Sequence, residues 1–169
     1  MEVIVSSRGS SEAALNWGSG ERRAAVGKSG IGNKISEGDG ITPAGSFAFR
    51  RVLYRGDRLA RPATKLPALA IARDDGWCDA PLDPAYNRPV KLPYRSSAEA
   101  LWRDDHLYGL LVVVGFNDAP VVPGAGSAIF LHVARPDYGS TNGCVAIAID
   151  DLRQLVRVLA PGDRISIRA

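Results

Sequence analysis

A chain of 169 residues with 46% hydrophobic and 23% charged residues can bury one sizeable core, and a second domain is not expected at this length. The formal net charge of +3 comes from 21 basic and 18 acidic residues, scattered along the chain, which argues against a nucleic-acid partner. Two cysteines are too few for a fold held together by disulfides. We predict a single domain that covers residues 1–169.

Short apolar runs are separated by 18 glycines and 11 prolines, a pattern that favours many short strands over a helical bundle. The predicted strands run from Glu2 to Ser6, Arg22 to Val26, Gly45 to Tyr54, Leu69 to Ala72, Tyr108 to Val114, Ala128 to Val133, Cys144 to Ile147 and Arg164 to Arg168. One helix is predicted to begin near Ser96 or Ser97 and to end at about Arg103. A second helix is predicted to have Asp150 as its cap and to stop at Pro161. The predicted fold class is mainly β, with about two short helices.

The beginning of the chain, Met1 to Val5, has neither the basic leader nor the apolar stretch of a signal peptide. The longest apolar run, Leu110 to Val114, is too short to span a bilayer. We therefore expect no signal peptide and no membrane span in this chain.

A glycine-rich segment leads into the strand predicted from Gly45. Residues Glu37 to Gly45 read Glu-Gly-Asp-Gly-Ile-Thr-Pro-Ala-Gly, a composition typical of a structured turn. Taken alone, the segment would be interpreted as a plain hairpin loop.

One histidine and one cysteine could form a nucleophilic pair. His132 lies in a predicted buried strand, and Cys144 follows twelve residues later, directly after the polar turn Ser-Thr-Asn-Gly. A thiol becomes nucleophilic as the thiolate, so it needs a nearby imidazole to accept its proton. A return from strand to strand over twelve residues would bring the two side chains together. On residue types alone, a buried structural cysteine and a core histidine remain open alternatives.

A metal site is not favoured by the same residues. Cys78, His106, His132 and Cys144 have side chains that can bind zinc, but none of them are close in sequence, as structural zinc sites usually require. We therefore predict no metal.

Further polar residues could line a cleft beside the pair. Tyr108 and Asn117 stand at the two ends of an apolar strand, where binding sites are often built, and His106 lies just before it. His106 adjoins two aspartates, so a simple salt-linked histidine is the alternative. Arg135 could hold a substrate carboxylate with its planar guanidinium, or could form a surface ion pair instead.

Several segments, in the same order along the chain, resemble the L,D-transpeptidase family and its YkuD-like catalytic domain. That family carries a histidine followed by a Ser/Thr-His-Gly-Cys motif, which is matched by His132 and by Thr141-Asn142-Gly143-Cys144. The segment Glu37 to Gly45 is similar to the family's upstream glycine, aspartate and Thr-Pro-x-Gly series. The resemblance covers roughly residue 27 to the end of the chain.

This sequence departs from the family pattern on the substrate side of the motif. Asn142 replaces the usual histidine, the common arginine after the cysteine is absent, and the spacer between His132 and Cys144 is shorter than in the commonest members. The resemblance therefore implies the family's nucleophile and base, with different substrate anchoring.

The resemblance implies a β-sandwich or barrel and a cysteine-dependent enzyme that cross-links peptidoglycan stem peptides through a thioester, without a cofactor. Cys144 would be the nucleophile and His132 the base, oriented by the carbonyl of Val133 or one near it. Gly143 and Asn142 would hold the oxyanion. Candidate substrate-binding residues are Arg135, Tyr108, Asn117, His106 and Thr141.

The resemblance also implies a 3-3 cross-link, or another such as 1-3, between a donor and an acceptor stem. We expect a monomer located in the periplasm or facing the cell wall, where the substrate lies. Two alternatives remain: an L,D-carboxypeptidase or endopeptidase that uses the same pair, and a non-catalytic module that binds the cell wall.

Overall fold

The computed structural model describes all residues from 1 to 169. It contains fourteen strands and one helix, which in chain order are β1 (Glu2–Ser7), β2 (Glu12–Asn16), β3 (Glu21–Ala25), β4 (Ile31–Gly32), β5 (Thr42–Pro43), β6 (Gly45–Tyr54), β7 (Ala68–Ala70), β8 (Asp75–Cys78), β9 (Pro89–Lys91), β10 (Ala98–Ala100), β11 (Leu110–Val114), β12 (Phe130–Val133), β13 (Val145–Ile147), α1 (Ile149–Val158) and β14 (Arg164–Arg168). The mainly β prediction is confirmed.

Nine strands form one sheet that closes on itself. Their order is β11-β12-β13-β3-β2-β1-β14-β6-β7, and β6 also pairs with β11. Closure is achieved because β6 is ten residues long: its first part pairs with β14 and its second part pairs with β11. The result is a barrel-like sheet in which β12 and β13 lie side by side and parallel.

The single helix covers one end of the main core. It buries Leu152, Leu155 and Val156 in a cluster of 24 buried apolar residues contributed mostly by the barrel strands. The helix lies in the predicted part of the chain, but its cap residue differs from the prediction. The helix begins two residues earlier than expected, with Ala148 at the cap position and no side-chain cap bond. Asp150 instead lies in the first turn, where a negative charge interacts favourably with the helix dipole. The helix is also too short to cross a membrane.

The helix predicted from Ser96 to Arg103 is wrong. This segment contains β10, which pairs antiparallel with β8 in a small sheet of order β10-β8-β9. The pairing continues beyond the strand, because the N–H of Leu101 donates to the carbonyl of Asp75. Leu101 is buried in a second apolar cluster. Pairing with a strand distant in sequence therefore overrides the local helical preference.

The small sheet lies against the barrel through this second cluster of nine buried residues. The cluster joins Trp77 of β8 and Leu101 to Phe130 of β12 and to Cys144. The edge-to-face contact of Trp77 with Phe130, with ring centroids 5.3 Å apart, joins the two sheets, and Tyr108 packs edge-on against the same Phe130 ring at 5.7 Å. The small sheet thereby forms one side of the region around Cys144.

Candidate active site

The register of two parallel strands places Cys144 and His132 on one face of the barrel. His132 on β12 pairs with Ala146 on β13, and Cys144 precedes Ala146 by two residues. Because side chains two residues apart share a face, Cys144 and His132 are diagonal neighbours, with Cα atoms roughly 8 Å apart from strand spacing and rise. Both side chains line one cavity of about 810 Å³. The predicted pair is therefore brought together.

The turn before Cys144 is held by two threonines. Thr141 Oγ1 donates to the carbonyl oxygen of Cys144 at 2.6 Å and accepts the N–H of Gly143 at 3.1 Å. Thr42 Oγ1 also donates to the Cys144 carbonyl, at 3.3 Å, and accepts the N–H of Gly27 at 2.8 Å. Since Thr42 is fully buried, these bonds fix the backbone of the cysteine from beneath.

The glycine-rich segment and the cysteine turn are packed against each other. Gly143 has a φ of +135°, and a Cβ at this position would lie 2.9 Å from the carbonyl oxygen of Ile41. A Cβ on Gly27 would lie 2.1 Å from the carbonyl oxygen of Gly40. Both contacts exclude a side chain, which explains why glycines accompany the cysteine in this sequence.

The imidazole is oriented by the backbone, as the resemblance implied. His132 Nδ1 lies 2.9 Å from the carbonyl oxygen of Val133, so Nδ1 carries the proton and Nε2 keeps a free lone pair. The ring packs edge-on against Tyr108 with centroids 5.4 Å apart. Burial lowers the pKa of His132 to about 4, so the imidazole is neutral at neutral pH.

The thiol is also neutral in this arrangement. Cys144 Sγ donates to the carbonyl of Ala128 at 3.2 Å and accepts the N–H of Phe130 at 3.3 Å. Burial, together with the nearby charge of Glu99, raises the pKa of Cys144 to about 12. A neutral thiol beside a neutral imidazole suits proton transfer during attack, and does not suit a resting thiolate–imidazolium pair.

One of the two residues expected to hold the oxyanion, Gly143, is not available as a hydrogen-bond donor. The Gly143 N–H is already donated to Thr141, so it is not free to bind an oxyanion. The N–H of Cys144 has no acceptor within the chain. The exposed side chain of Asn142, which lines the cavity, makes no hydrogen bond. These two groups are the donors available beside the sulfur.

Charged side chains of both signs line the cavity. The acids are Glu37, Asp79 and Glu99, and the cations are Lys34, Arg103 and Arg135. Lys34 is paired with Asp39 at 2.5 Å, and Arg103 is paired with Asp105 at 2.6 Å. Arg135 is exposed and forms no ion pair, so the alternative role of a surface ion pair is not observed.

Two of the remaining predicted residues lie at the cavity and two do not. Tyr108 and Thr141 line it. Asn117 is outside, because its amide bonds the backbone of Val122 and Gly126 and shapes its own loop. His106 is exposed and does not line the cavity.

Sequence reasoning missed the acids of the cavity wall and two of its cations, Lys34 and Arg103. Glu99 is the clearest case, since the segment around it was predicted to be helical. In the sequence, Glu99 is a single carboxylate between two alanines. It could be recognised as a site residue only if the segment were predicted to be a strand.

The structure does not bring together the four side chains that were weighed as zinc ligands, Cys78, His106, His132 and Cys144. No group of three or more His, Cys, Asp or Glu side chains has the geometry to hold a metal ion. Cys78 and Cys144 are both buried free thiols.

Comparisons with known proteins give one family match and one structural match. A model of the YkuD family, the L,D-transpeptidase catalytic domain, matches residues 9–167. The crystal structure of Mycobacterium tuberculosis L,D-transpeptidase 1 is similar with a TM-score of 0.42 and 13% identity, over 99% of this chain and 62% of that one. This chain therefore spans less than two thirds of the length of that structure. No curated protein matches the chain.

Proposed function

The chain belongs to the family of L,D-transpeptidase catalytic domains, and on this premise we propose that Cys144 and His132 transfer acyl groups between peptidoglycan stem peptides. The observation that carries the proposal is their placement on one face of β12 and β13, inside one cavity. The bond from His132 Nδ1 to Val133 leaves Nε2 as the proton acceptor. These are the parts that thiol acylation requires.

Acylation begins with a neutral thiol. The Sγ–H turns from the carbonyl of Ala128 toward His132, and Nε2 takes the proton while Sγ bonds to the carbonyl carbon of the donor. The tetrahedral oxyanion is held by the N–H of Cys144 and the amide of Asn142, which have no other partners. The C–N bond then breaks, the leaving amine takes the proton from His132, and a thioester remains.

Deacylation uses the same base. An acceptor amine attacks the thioester carbon, His132 takes a proton from the attacking nitrogen, and the C–S bond breaks to return the thiol. The product is a cross-link between two stems. The position of the attacked bond decides whether the cross-link is 3-3 or another kind, such as 1-3.

Substrate anchoring is assigned to the groups left free at the cavity rim. Arg135 is the one cavity cation without an ion pair, and its guanidinium can bind a stem-peptide carboxylate with two parallel bonds. Tyr108 lies between the imidazole and Glu99 and borders the place where the donor binds. Since peptidoglycan lies outside the cytoplasmic membrane, the proposal places the domain on that side.

The test is product analysis by mass spectrometry with purified disaccharide-tetrapeptide and shorter stems. We expect wild-type protein and Cys78→Ala, which alters the other buried thiol, to form cross-linked product, and Cys144→Ala to form none. Hydrolysed product alone, with acceptor present, would assign the carboxypeptidase or endopeptidase activity. Binding of the stems with no thiol-dependent product would overturn the proposal in favour of a cell-wall binding module.

A further inference from the structure

A partly buried carboxylate stands one side chain away from the proposed base. Glu99, on β10, accepts the hydroxyl of Tyr108 at 2.6 Å and lines the same cavity as Cys144. The ring of Tyr108 packs against that of His132. Burial raises the pKa of Tyr108 well above its usual value, so the hydroxyl keeps its proton and holds Glu99 in place.

A second carboxylate of the cavity wall has an oxygen without a partner. Asp79 Oδ1 is buried and accepts no hydrogen bond, and it is the only buried side-chain N or O atom of the protein in this condition. An unpaired buried acceptor is costly, and native proteins rarely keep one unless a ligand, ion or water completes it. Asp79 and Glu99 line the same cavity, so the unsatisfied acceptor belongs to the wall that also carries Glu99.

The three carboxylates of the cavity wall, those of Glu37, Asp79 and Glu99, form no ion pair with the cations that line the cavity. Burial raises the pKa of Glu99, and the charges of Asp79 and Glu37 raise it further, while Arg103 acts in the opposite direction. Arg103 is itself paired with Asp105. A cationic group entering the cavity would therefore find carboxylates that are not neutralised by the protein.

The proposed attack of an acceptor amine on the thioester releases two protons. An amine acceptor arrives as an ammonium ion and must lose one proton before it can attack and a second when the new C–N bond forms. His132 can take only one of them at a time. A neutral thiol and a neutral imidazole leave no other base beside the sulfur, so the first proton passes either to solvent or to a carboxylate of the cavity wall.

We infer that Glu99 and Asp79 form the subsite for the acceptor amine, in which both carboxylates bind the ammonium and Glu99 removes its first proton. This inference rests on the proposed acyl transfer. The first N–H proton passes to the Glu99 carboxylate and leaves the amine lone pair free to attack the thioester. The second passes to His132 and then to the departing sulfur, while Glu99 returns its proton to solvent.

The test separates the two half-reactions of purified protein. The thioester is formed with a stem-peptide donor and then partitioned between water, a lysine derivative with blocked α-amine and carboxyl groups, and hydroxylamine, which is uncharged at neutral pH. In Glu99→Gln, the amide oxygen can still accept the Tyr108 hydroxyl. We expect reaction with the lysine amine to fall about 10- to 100-fold, with acylation, hydrolysis and reaction with hydroxylamine changed less than about threefold.

Two further variants sharpen the result. Asp79→Asn is expected to raise the KM for the lysine amine more than it lowers kcat, because it removes charge without removing the proton acceptor. Glu12→Gln, at an exposed glutamate of β2 that pairs with Arg23, is the matched control and should behave as wild type.

The outcomes distinguish this inference from the proposed function. Equal losses in aminolysis, hydrolysis and acylation by Glu99→Gln would assign Glu99 a structural role and overturn the subsite. Unchanged partitioning toward the lysine amine would overturn it as well. If wild-type protein forms no thioester at all, the proposed acyl transfer fails and the subsite fails with it.

Discussion

The two sides of the cavity are built differently. The inner side comprises Cys144, His132 and Thr141, whose polar atoms bond backbone groups in or beside the barrel sheet, with Thr42 buried behind them. The outer side comprises Glu99, Asp79, Arg135 and Asn142, which sit on the small sheet or on loops and keep polar groups free. The contrast indicates that sheet register fixes the reacting groups, while separate elements supply the groups that select the substrate.

The largest effect is expected from the inner base. Replacing His132 by glutamine keeps a polar side chain of similar size but removes the proton acceptor, so acylation should fall about 10²- to 10⁴-fold. His106→Gln, at the exposed histidine outside the cavity, should retain activity within about twofold. The measurement is the rate of thioester formation by intact mass. Similar rates for the two variants would mean that His132 contributes no more to acylation than an exposed histidine outside the cavity.

The pH dependence of acylation tests the burial of the same base. With a pKa of about 4, lowered chiefly by burial, the imidazole is about 90% neutral at pH 5. With the ordinary pKa near 6.5, it would be only about 3% neutral there. We therefore expect the acylation rate at pH 5 to stay near its value at pH 7 and to fall as the pH drops through 4. An acid limb centred near 6.5 would show an exposed, ordinary histidine.

The buried hydrogen bonds that fix the backbone of Cys144 can be removed without altering the Cys144 thiol or the His132 imidazole. Thr42→Val removes the hydroxyl that donates to the Cys144 carbonyl and accepts from Gly27, both buried. We expect the free energy of unfolding to fall by about 1–3 kcal/mol, measured by urea denaturation. Thr64→Val is the control, because Thr64 accepts only one N–H, that of Leu66, near the surface. Equal losses in the two variants would mean that the site's support is no stronger than a surface turn.

The smallest effect is expected at the outer rim. Arg135→Ala should raise the KM for stems with a free carboxylate about 5- to 10-fold and leave kcat nearly unchanged, since an exposed ion pair contributes modestly. Stems whose carboxylates are amidated should show no such change. Arg61→Ala, at another exposed arginine, serves as control. A fall in kcat with unchanged KM would move Arg135 to the reacting side of the cavity.

The same contrast explains what the sequence could predict. Strands with strong apolar alternation were located closely, and the bounds of β6 and β14 agree with the prediction. Strand β2, Glu-Ala-Ala-Leu-Asn, was missed because alanine has little strand preference and its conformation depends on pairing with β1 and β3. The proximity of His132 and Cys144 was predictable because Cys144 directly precedes β13, which pairs with the strand that carries His132.

The outer side was less predictable for a physical reason. The Ser-Ser-Ala-Glu-Ala sequence from Ser96 resembles a helix start, and only its partner β8 makes it a strand. That error hid Glu99. Asn117 was misplaced because an asparagine at a strand end can serve a binding site or its own loop, and the side-chain bonds to Val122 and Gly126 decide for the loop.

The most direct test of the account is to locate the acyl group. Wild-type protein is incubated with a stem-peptide donor without acceptor, quenched in acid, and mapped by peptide mass spectrometry. The account predicts a thioester on the peptide that carries Cys144, none on the peptide that carries Cys78, and none in Cys144→Ala. Donor turnover by Cys144→Ala, or an acyl group on Cys78, would contradict it.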